Sequence, residues 1–473
     1  MDFKKAKRLL VIVAVVYWLF SAGIYSIARN EFRFGAEESE APAPEWVVGE
    51  LVDGRIFSQQ VSLSADLLNG VELMIGTYDR DNSGTLFVEV LNAEEELLGK
   101  TMAPLSDLED NAYCGFSFEQ QIQIEPNEPL AVRLYTQDCS AGNAVTIYAG
   151  SASSQFAAYQ AGQEESLGSL CVRLRGVSHL VHYRTYWIVV AAAFAAMAVY
   201  GVISWRRAKR GKGNLLVSLL TVYTKYTFLI KQLVARDFKT KYKRSTLGMV
   251  WSVLNPLLTM SIQYVVFSTL FKTDIPNYPV YLLTGIVFFG FFSEALSLGM
   301  TSITSNAPLI KKVYMPKYIY PLSRTFSSLV NFAMALIPLM LMVIVTGTAI
   351  RASILLLVFD ILCYLSFIIG MTLLLTTAMT FFQDTQFLWT VVSMMWQYLT
   401  PIFYPETIIP ANLLPIYKLN PLYQYITFAR ICIIEGVSPA PGMYLQCVVS
   451  AIVILALGIC VFKKHQNKFV LYV

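Results

Sequence analysis

Two short segments of the sequence contain residue types that could do chemistry, and neither forms a complete motif. LLGKT at residues 97–101 ends like a phosphate-binding loop, but Glu94 stands where that motif requires glycine. His179 and His182 lie three residues apart without an HExxH pattern or further ligands, which favours a solvated pair over a metal site. The sequence also contains no GxSxG turn. We therefore predict a turn at residues 97–101, and no catalytic residue, metal or cofactor in this chain.

The composition indicates an integral membrane protein. Of the 473 residues, 55% are hydrophobic and only 14% are charged, and the apolar residues fall into blocks close to the roughly 20 residues that cross a bilayer once. The sequence predicts eight spans, at residues 9–28, 186–205, 247–271, 281–302, 326–347, 354–382, 387–404 and 444–462. The first block also fits a secretory signal, although we expect an uncleaved anchor spanning residues 1–28.

The charges differ between the two sides that these spans would separate. Residues 29–185 contain 9 Lys and Arg against 24 Asp and Glu, whereas the rest of the chain contains 27 against 8. The basic clusters at residues 4–8, 206–212, 311–317 and 463–468 all fall on one side if the spans alternate. Because basic loops favour the cytoplasm, we expect cytoplasmic N- and C-termini and an extracytoplasmic segment at residues 29–185.

That acidic segment has the pattern of a β domain. Residues 85–92 and 131–137 alternate apolar and polar side chains, and DRDNSG at residues 79–84 is typical of a turn. Turns recur about every ten residues, which favours a β-sandwich. The fold class is therefore an all-α polytopic membrane protein, with interfacial and re-entrant helices and an inserted β-sandwich domain. We predict a disulfide between Cys114 and Cys139, with Cys171 left over.

A basic and amphipathic stretch follows the second span. Within residues 206–246, apolar residues recur near helical spacing from 215 to 238 and basic residues occupy the other faces, which indicates an interfacial helix. A simple membrane anchor would show the same pattern. The residues where this helix ends and the next span starts are Arg236, Lys239, Tyr242, Lys243, Ser245 and Gly248.

Residues 214–473 resemble the membrane subunit of bacterial ABC exporters of polysaccharides, such as O-antigen, capsule and teichoic-acid chains. Five segments in order support the resemblance: RDFKTKYKRSTLGMVWSVLNPL (236–257), SITSNAPLIKKVYMPKYIYPLS (302–323), DTQ (384–386), YLTPIFYPETIIP (398–410) and LNPLYQYITFAR (419–430). The resemblance implies a permease domain at residues 247–473 in a bacterial plasma membrane. It also implies a homodimer that works with two copies of a cytoplasmic ABC ATPase, which binds ATP and Mg, and a lipid-linked glycan substrate.

The resemblance also assigns residues to roles. The loop between the second and third permease spans would dock on the ATPase through Asn306, Leu309, Lys311, Lys312, Tyr314 and Pro316, although its lysines also fit the positive-inside pattern alone. Proline-broken stretches near residues 405–434 predict short re-entrant helices, with an interfacial loop as the alternative.

Aromatic and acidic residues within the spans are candidates for a glycan conduit. Flat rings offer apolar surfaces to sugars, but aromatic belts also occur at any membrane interface. The conduit candidates are Trp251, Tyr264, Phe267, Phe271, Glu294, Trp396, Phe403 and Tyr404. Glu294 and Asp360 should face the bundle interior rather than lipid.

The first 213 residues depart from the family pattern, in which the chain begins near the interfacial helix. We expect the β domain to bind or guide the emerging glycan, or to act as a structural or docking cap. A drug or lipid exporter is an alternative function, as is a membrane glycosyltransferase or acyltransferase.

Overall fold

The computed structural model describes residues 3–151, 159–160, 168–179, 182–210, 215–243, 247–271, 277–312, 315–410 and 413–472. The chain forms two compact units. Phe32–Thr185 is one unit, and Met1–Glu31 together with Tyr186–Val473 is the other. The first unit is made of strands and the second is almost entirely helical.

The β unit consists of two antiparallel sheets. Its strands are β1 Phe34–Glu38, β2 Trp46–Glu50, β3 Ile56–Ser62, β4 Leu67–Gly76, β5 Thr85–Leu91, β6 Leu97–Pro104, β7 Ala112–Gln123, β8 Pro129–Gln137, β9 Thr146–Gly150, β10 Tyr159–Gln160, β11 Ser169–Leu170 and β12 Val172–His179. One sheet has the order β1-β12-β4-β9-β11, with β7 also paired to β4 and β2 to β9. The other has the order β10-β3-β8-β5-β6.

A single core joins the two sheets. Val71 of β4 in one sheet and Val88 and Leu134 in the other are fully buried in the same cluster. Buried and partly exposed residues alternate along β5 and β8, because successive side chains point to opposite faces of a strand. The predicted β domain and its strands at residues 85–92 and 131–137 are thus confirmed, and Tyr78 and Asp79, with positive φ of 60° and 56°, lie in the turn before β5.

Two smaller predictions for this unit are wrong. Residues 97–101 belong to strand β6, which pairs with β5, rather than to a turn. Cys114 and Cys139 are both free thiols. Cys114 lies on β7 of one sheet, and its Sγ lies 3.8 Å from the Glu109 carbonyl oxygen, whereas Cys139 follows β8 of the other sheet and its Sγ lies 3.7 Å from the Ser83 carbonyl oxygen. The pairing fails because adjacency in a sandwich is set by strand order, which cysteine spacing does not reveal.

Acid should weaken the β unit. The Gly142 N–H and Arg80 hydrogen-bond to the Glu50 carboxylate and lower its pKa, and the Thr77 N–H lowers the pKa of Asp110. Both groups therefore stabilise the folded state above their unfolded pKa of about 4, and this stabilisation is lost as the pH falls through the lower folded-state values. We expect pepsin cleavage of the intact protein within residues 32–185 to rise steeply below about pH 4.

Glu50→Gln is the matched variant for this prediction. It removes one of the two carboxylates, so cleavage should depend less steeply on pH than in the unmodified protein. Equal pH profiles for the two proteins would contradict a role for Glu50.

The helical unit contains the predicted interfacial helix and most of the predicted spans. Its helices, together with the one that leads into β1, are α1 Phe3–Ile27, α2 Arg29–Arg33, α3 His182–Lys209, α4 Leu215–Thr221, α5 Thr227–Tyr242, α6 Trp251–Phe271, α7 Tyr278–Met300, α8 Ala307–Lys312, α9 Ile319–Val345, α10 Leu357–Phe381, α11 Thr385–Leu399, α12 Leu414–Lys418, α13 Pro421–Arg430, α14 Pro441–His465 and α15 Phe469–Tyr472. A π-helical turn, Val222–Tyr226, separates α4 from α5.

Among the described residues, seven helices are long and apolar enough to cross a membrane. They are α1, α3, α6, α7, α9, α10 and α14 with their flanking turns. The predicted span at residues 387–404 is instead α11, which has 15 residues and so a length of about 22 Å against a hydrocarbon core of about 30 Å. The helix ends at Leu399 because Thr400 precedes a proline and adopts an extended conformation.

Close helix contacts hold the spanning bundle together. α7 is the central helix, with most of its side chains buried. α10 and α14 approach closely at two glycines, where a Cβ added to Gly458 would lie 2.3 Å from the Gly370 carbonyl oxygen. Helices α1 and α3, the two candidate spans that precede the permease region, contact each other. The Tyr17 hydroxyl of α1 donates a hydrogen bond to the Val190 carbonyl of α3 at 2.8 Å.

Candidate functional site

The interfacial helix α5 is joined to the bundle by ion pairs. Asp237 of α5 accepts from Arg324 of α9 at 2.9 Å, and the Asp237 side chain is only 11% exposed. Nearby on α5, Lys241 donates to Glu294 of α7 at 2.7 Å. Asn331 of α9 donates to the same carboxylate oxygen at 2.9 Å. We call Asp237, Lys241, Glu294, Arg324 and Asn331 the α5 polar cluster.

This cluster defines the surroundings of Glu294, one of the conduit candidates. Its carboxylate faces the bundle interior, as expected for an acid within a span, and it is hydrogen-bonded to residues of two other helices. The arrangement can transmit a movement of α5 directly to α7 and α9. A conduit role for Glu294 stays a prediction.

The residues at the end of α5 surround a basic cavity. Arg236, Lys239 and Lys243 line a cavity of about 660 Å³, together with Met249 at the start of the next span. Gly248 has a positive φ of 51°, which glycine adopts without strain, and it opens the turn that leads into α6. Three cations around one cavity can bind a phosphate-bearing group. The Tyr242 side chain and Ser245 lie outside the described residues.

The predicted ATPase-docking loop contains the short helix α8. Asn306 uses its side-chain amide locally, donating to the Ser302 carbonyl at 2.8 Å, whereas Lys311 is exposed. After Pro316, Lys317 donates to the Gln466 carbonyl at 2.7 Å, and burial lowers the pKa of Lys317. The loop is thus attached to the C-terminal end of the bundle. The side chains of Leu309 and Lys312, and Tyr314 entirely, lie outside the described residues.

Four of the predicted conduit aromatics lie together near the segment that follows α11. The rings of Phe267 and Phe403 stack at 5.2 Å. The ring centres of Tyr264 and Tyr278 lie 5.7 Å apart. The Tyr278 hydroxyl donates a hydrogen bond to the Phe403 carbonyl at 2.7 Å. Tyr281 donates to the Tyr404 carbonyl at 2.8 Å. Tyr278 and Tyr281, which the sequence did not single out, thus lie in the same cluster as these four residues.

The other conduit candidates lie elsewhere. Trp396 packs against Phe292 at 5.3 Å and donates from Nε1 to Asn420 at 2.8 Å, so its indole stabilises the bundle. Trp251 is 44% exposed at the start of α6. The Phe271 side chain lies outside the described residues.

The Arg430 side chain, which the sequence did not single out, donates several hydrogen bonds in this region. Its guanidinium is buried and donates to the carbonyls of Pro401, Ile402 and Tyr281 at 2.7 to 3.3 Å. It also lies 3.4 Å from the centre of the Tyr281 ring, a cation–π contact. Arginine at the end of an apolar segment was the available signal. The guanidinium stabilises the irregular chain at residues 400–403, where proline prevents regular hydrogen bonding.

A second buried charge-bearing residue has no such partners. Asp360 of α10 is fully buried, and neither carboxylate oxygen has a hydrogen-bond partner among the described residues. An ionised group in that setting is costly. We expect Asp360→Asn to keep the thermal unfolding midpoint of the detergent-purified protein, with a change in stability within about 1 kcal/mol. A large loss of stability, against no change for the exposed Asp384→Asn, would show that the carboxylate itself is required.

The fold is that of a polytopic membrane protein. The family described as ABC-2 type transporter matches residues 228–434. This stretch contains the α5 polar cluster, Arg430, and the aromatic group formed by Tyr264, Phe267, Tyr278, Tyr281, Phe403 and Tyr404. These residues are similar to ABC-2 type transporter membrane domains, and the predicted resemblance is confirmed.

The chain is also similar to proteins named O-antigen export system permease protein RfbA. The one from Klebsiella pneumoniae is 28% identical over 245 residues, which are 51% of this chain and 93% of the relative. The one from Myxococcus xanthus is 27% identical over 258 residues, which are 54% of this chain and 98% of the relative.

Proposed function

We propose that this chain is the transmembrane permease subunit of an ATP-driven exporter that moves a lipid-linked polysaccharide from the cytoplasm to the cell exterior. The observation that carries the proposal is the combination of the ABC-2 type domain at residues 228–434 with similarity to O-antigen export permeases over 93% and 98% of their length. The permease for polysaccharide export is the function that these similarities support best.

The basic cavity at the end of α5 supports a lipid-linked substrate. Arg236, Lys239 and Lys243 converge where the interfacial helix meets the first permease span. A lipid carrier with a diphosphate places its negative charge at the membrane surface, where these basic side chains would attract it. The polymer would then pass beside the aromatic group formed by Tyr264, Phe267, Tyr278, Tyr281, Phe403 and Tyr404.

Energy for export would come from a separate ATPase. We propose a homodimer of this chain with two copies of an ABC ATPase, which supplies ATP and Mg binding and docks on α8 and the interfacial helix. A symmetric permease dimer suits two identical motors. Lys311, exposed on α8, is the described residue best placed for this contact.

Reconstitution tests the proposal. Proteoliposomes that contain this chain and its ATPase should hydrolyse ATP faster when lipid-linked glycan is added, and this chain alone should hydrolyse none. Lys311→Glu should weaken the stimulation, while Lys418→Glu on the exposed helix α12 serves as the control. Stimulation by drugs or phospholipids instead would favour the alternative exporters, and glycosyl or acyl transfer by the chain alone would favour an enzyme.

The proposed topology places the termini and α8 in the cytoplasm and residues 29–185 outside. Single cysteines introduced at Lys311 and Ser106, in a cysteine-free background, distinguish the two sides in intact cells. A membrane-impermeant maleimide should label position 106 and leave position 311 unlabelled until the cells are opened. Labelling of position 311 in intact cells would reverse the orientation.

The β unit is proposed to bind or guide the emerging glycan. The outer face of its five-stranded sheet supports this, since Phe87 and Tyr135 stack at 5.1 Å and Lys100 donates to the Tyr135 hydroxyl at 2.6 Å. Aromatic rings beside hydrogen-bonding groups suit sugars. The full protein in nanodiscs should bind the native polymer, and Tyr135→Ala with Lys100→Ala should weaken binding. Unchanged binding would favour a structural or docking cap.

A further inference from the structure

A second cavity, on the side of the bundle formed by α9, α10 and α14, is not used by the proposed transport path. Its volume is 920 Å³, and α5 closes one side of it. Its lining includes Ile230 and Phe238 of α5, Phe326 of α9 and Leu455 of α14. We call this cavity the α5 groove. We propose that the α5 groove binds an anionic phospholipid of the inner leaflet.

The depth of the groove fits a lipid tail. Along α14 the lining extends from Lys463 to Leu455, eight residues or about 12 Å along the helix axis. Along α9 it extends from Leu322 to Val330, another 12 Å or so. Both helices are apolar enough to cross the membrane. An occupant must therefore be apolar over much of the thickness of one leaflet, which a cytoplasmic protein cannot supply.

The charge of the groove fits a phosphate head group. Among the described residues that line it, Lys231 of α5 and Lys463 of α14 are the two charged ones, and none is Asp or Glu. Both lysines are exposed and neither has an ion-pair partner among the described residues. Two free ammonium groups beside an apolar cleft attract an anionic lipid and favour it over a zwitterionic one.

Such a lipid would hold the interfacial helix. The groove is lined by residues of α5, α9, α10 and α14, so an acyl chain would fill the space that these helices leave open beside α5. The lipid would then stabilise the position of α5 that the α5 polar cluster also favours. The inference is independent of the transported substrate.

Native mass spectrometry of the full protein tests the proposal. The protein is purified with a mixture of phosphatidylglycerol and phosphatidylcholine, and retained lipids are counted. We expect preferential retention of phosphatidylglycerol, and each of Lys231→Gln and Lys463→Gln should weaken it about fivefold. Lys225→Gln and Lys464→Gln are the matched controls, because these exposed lysines do not line the groove, and they should change retention less than twofold.

Photo-crosslinking locates the lipid in the unmodified protein. Phosphatidylglycerol with a diazirine in its acyl chain should label peptides that contain Phe326 and Leu455. Equal retention in all four lysine variants, or labelling confined to other helices, would overturn the proposal. If the Lys231 and Lys463 variants lost a homodimer but retained the lipid, the proposal would be overturned, and a second copy of the chain would be the molecule that fills the α5 groove. Displacement of phosphatidylglycerol by lipid-linked glycan alone would overturn it in favour of the substrate.

Discussion

Arg430→Ala is expected to destabilise the permease by about 3 to 5 kcal/mol and to abolish export. The substitution leaves the Ile402 carbonyl without the donor that now reaches it and removes one of the donors to the Pro401 and Tyr281 carbonyls, and a buried unpaired polar group costs about 1 to 3 kcal/mol. It also removes the cation from the Tyr281 ring. The thermal midpoint of the detergent-purified protein and export in cells measure the two effects.

A glycine in α7 provides a second test that keeps the arginine. A Cβ added to Gly285 would lie 2.8 Å from a methyl carbon of Ile402 and 3.0 Å from a guanidinium nitrogen of Arg430. Gly285→Ala should therefore displace Arg430 and lower the thermal midpoint in the same direction. Gly290→Ala on the same helix has open space around its Cβ, so it should be neutral or slightly stabilising. Equal midpoints for the two alanine variants would contradict the proposed role of Arg430.

Loss of the Asp237–Arg324 pair is expected to uncouple ATP hydrolysis from transport. Each side chain is mostly buried, 11% exposed for Asp237 and 24% for Arg324, and a hydrogen bond to a charged group contributes about 1.5 to 3 kcal/mol. Losing that much would reduce the population of docked α5 relative to undocked α5 by tenfold or more. We expect Asp237→Ala or Arg324→Ala to lower transport at least about tenfold while ATP hydrolysis continues.

Paired variants distinguish coupling from general damage. The exchange Asp237→Arg with Arg324→Asp should restore part of the transport that either alanine variant loses, because the opposite charges meet again. Lys225→Ala, in the π-helical turn before α5, is the control, since Lys225 is exposed and lines neither cavity and surface substitutions usually change stability little. Full transport with Asp237→Ala would contradict the model of coupling through α5.

The spans and strands were predictable because their signals are local. An apolar stretch long enough to cross the bilayer predicts a membrane helix whatever packs against it. Helices α9 and α14 lie where the sequence predicts them. The alternation in β5 and β8 is local too. The exception, α11, is short because Thr400 and Pro401 end it inside a block that composition alone reads as continuous.

The side-chain partners were not predictable from spacing. Lys241 and Glu294 are 53 residues apart, and Arg430 and Tyr281 are 149 apart. The predicted pairing of Cys114 with Cys139 is wrong, and the partners of Glu294 were not foreseen, because a residue type indicates what a side chain can bond but not which helix or sheet packs against it.

The sequence by itself determined that this is a membrane protein with an inserted β domain and an exporter-type permease region, since hydrophobic length, charge asymmetry and ordered motifs are properties of the chain alone. Only the tertiary structure decided that α5 is ion-paired to α7 and α9, that Arg430 stabilises the proline-broken segment, and that a lipid-sized groove lies beside α5. Those features depend on how helices distant in sequence pack, and packing is set by the whole bundle at once.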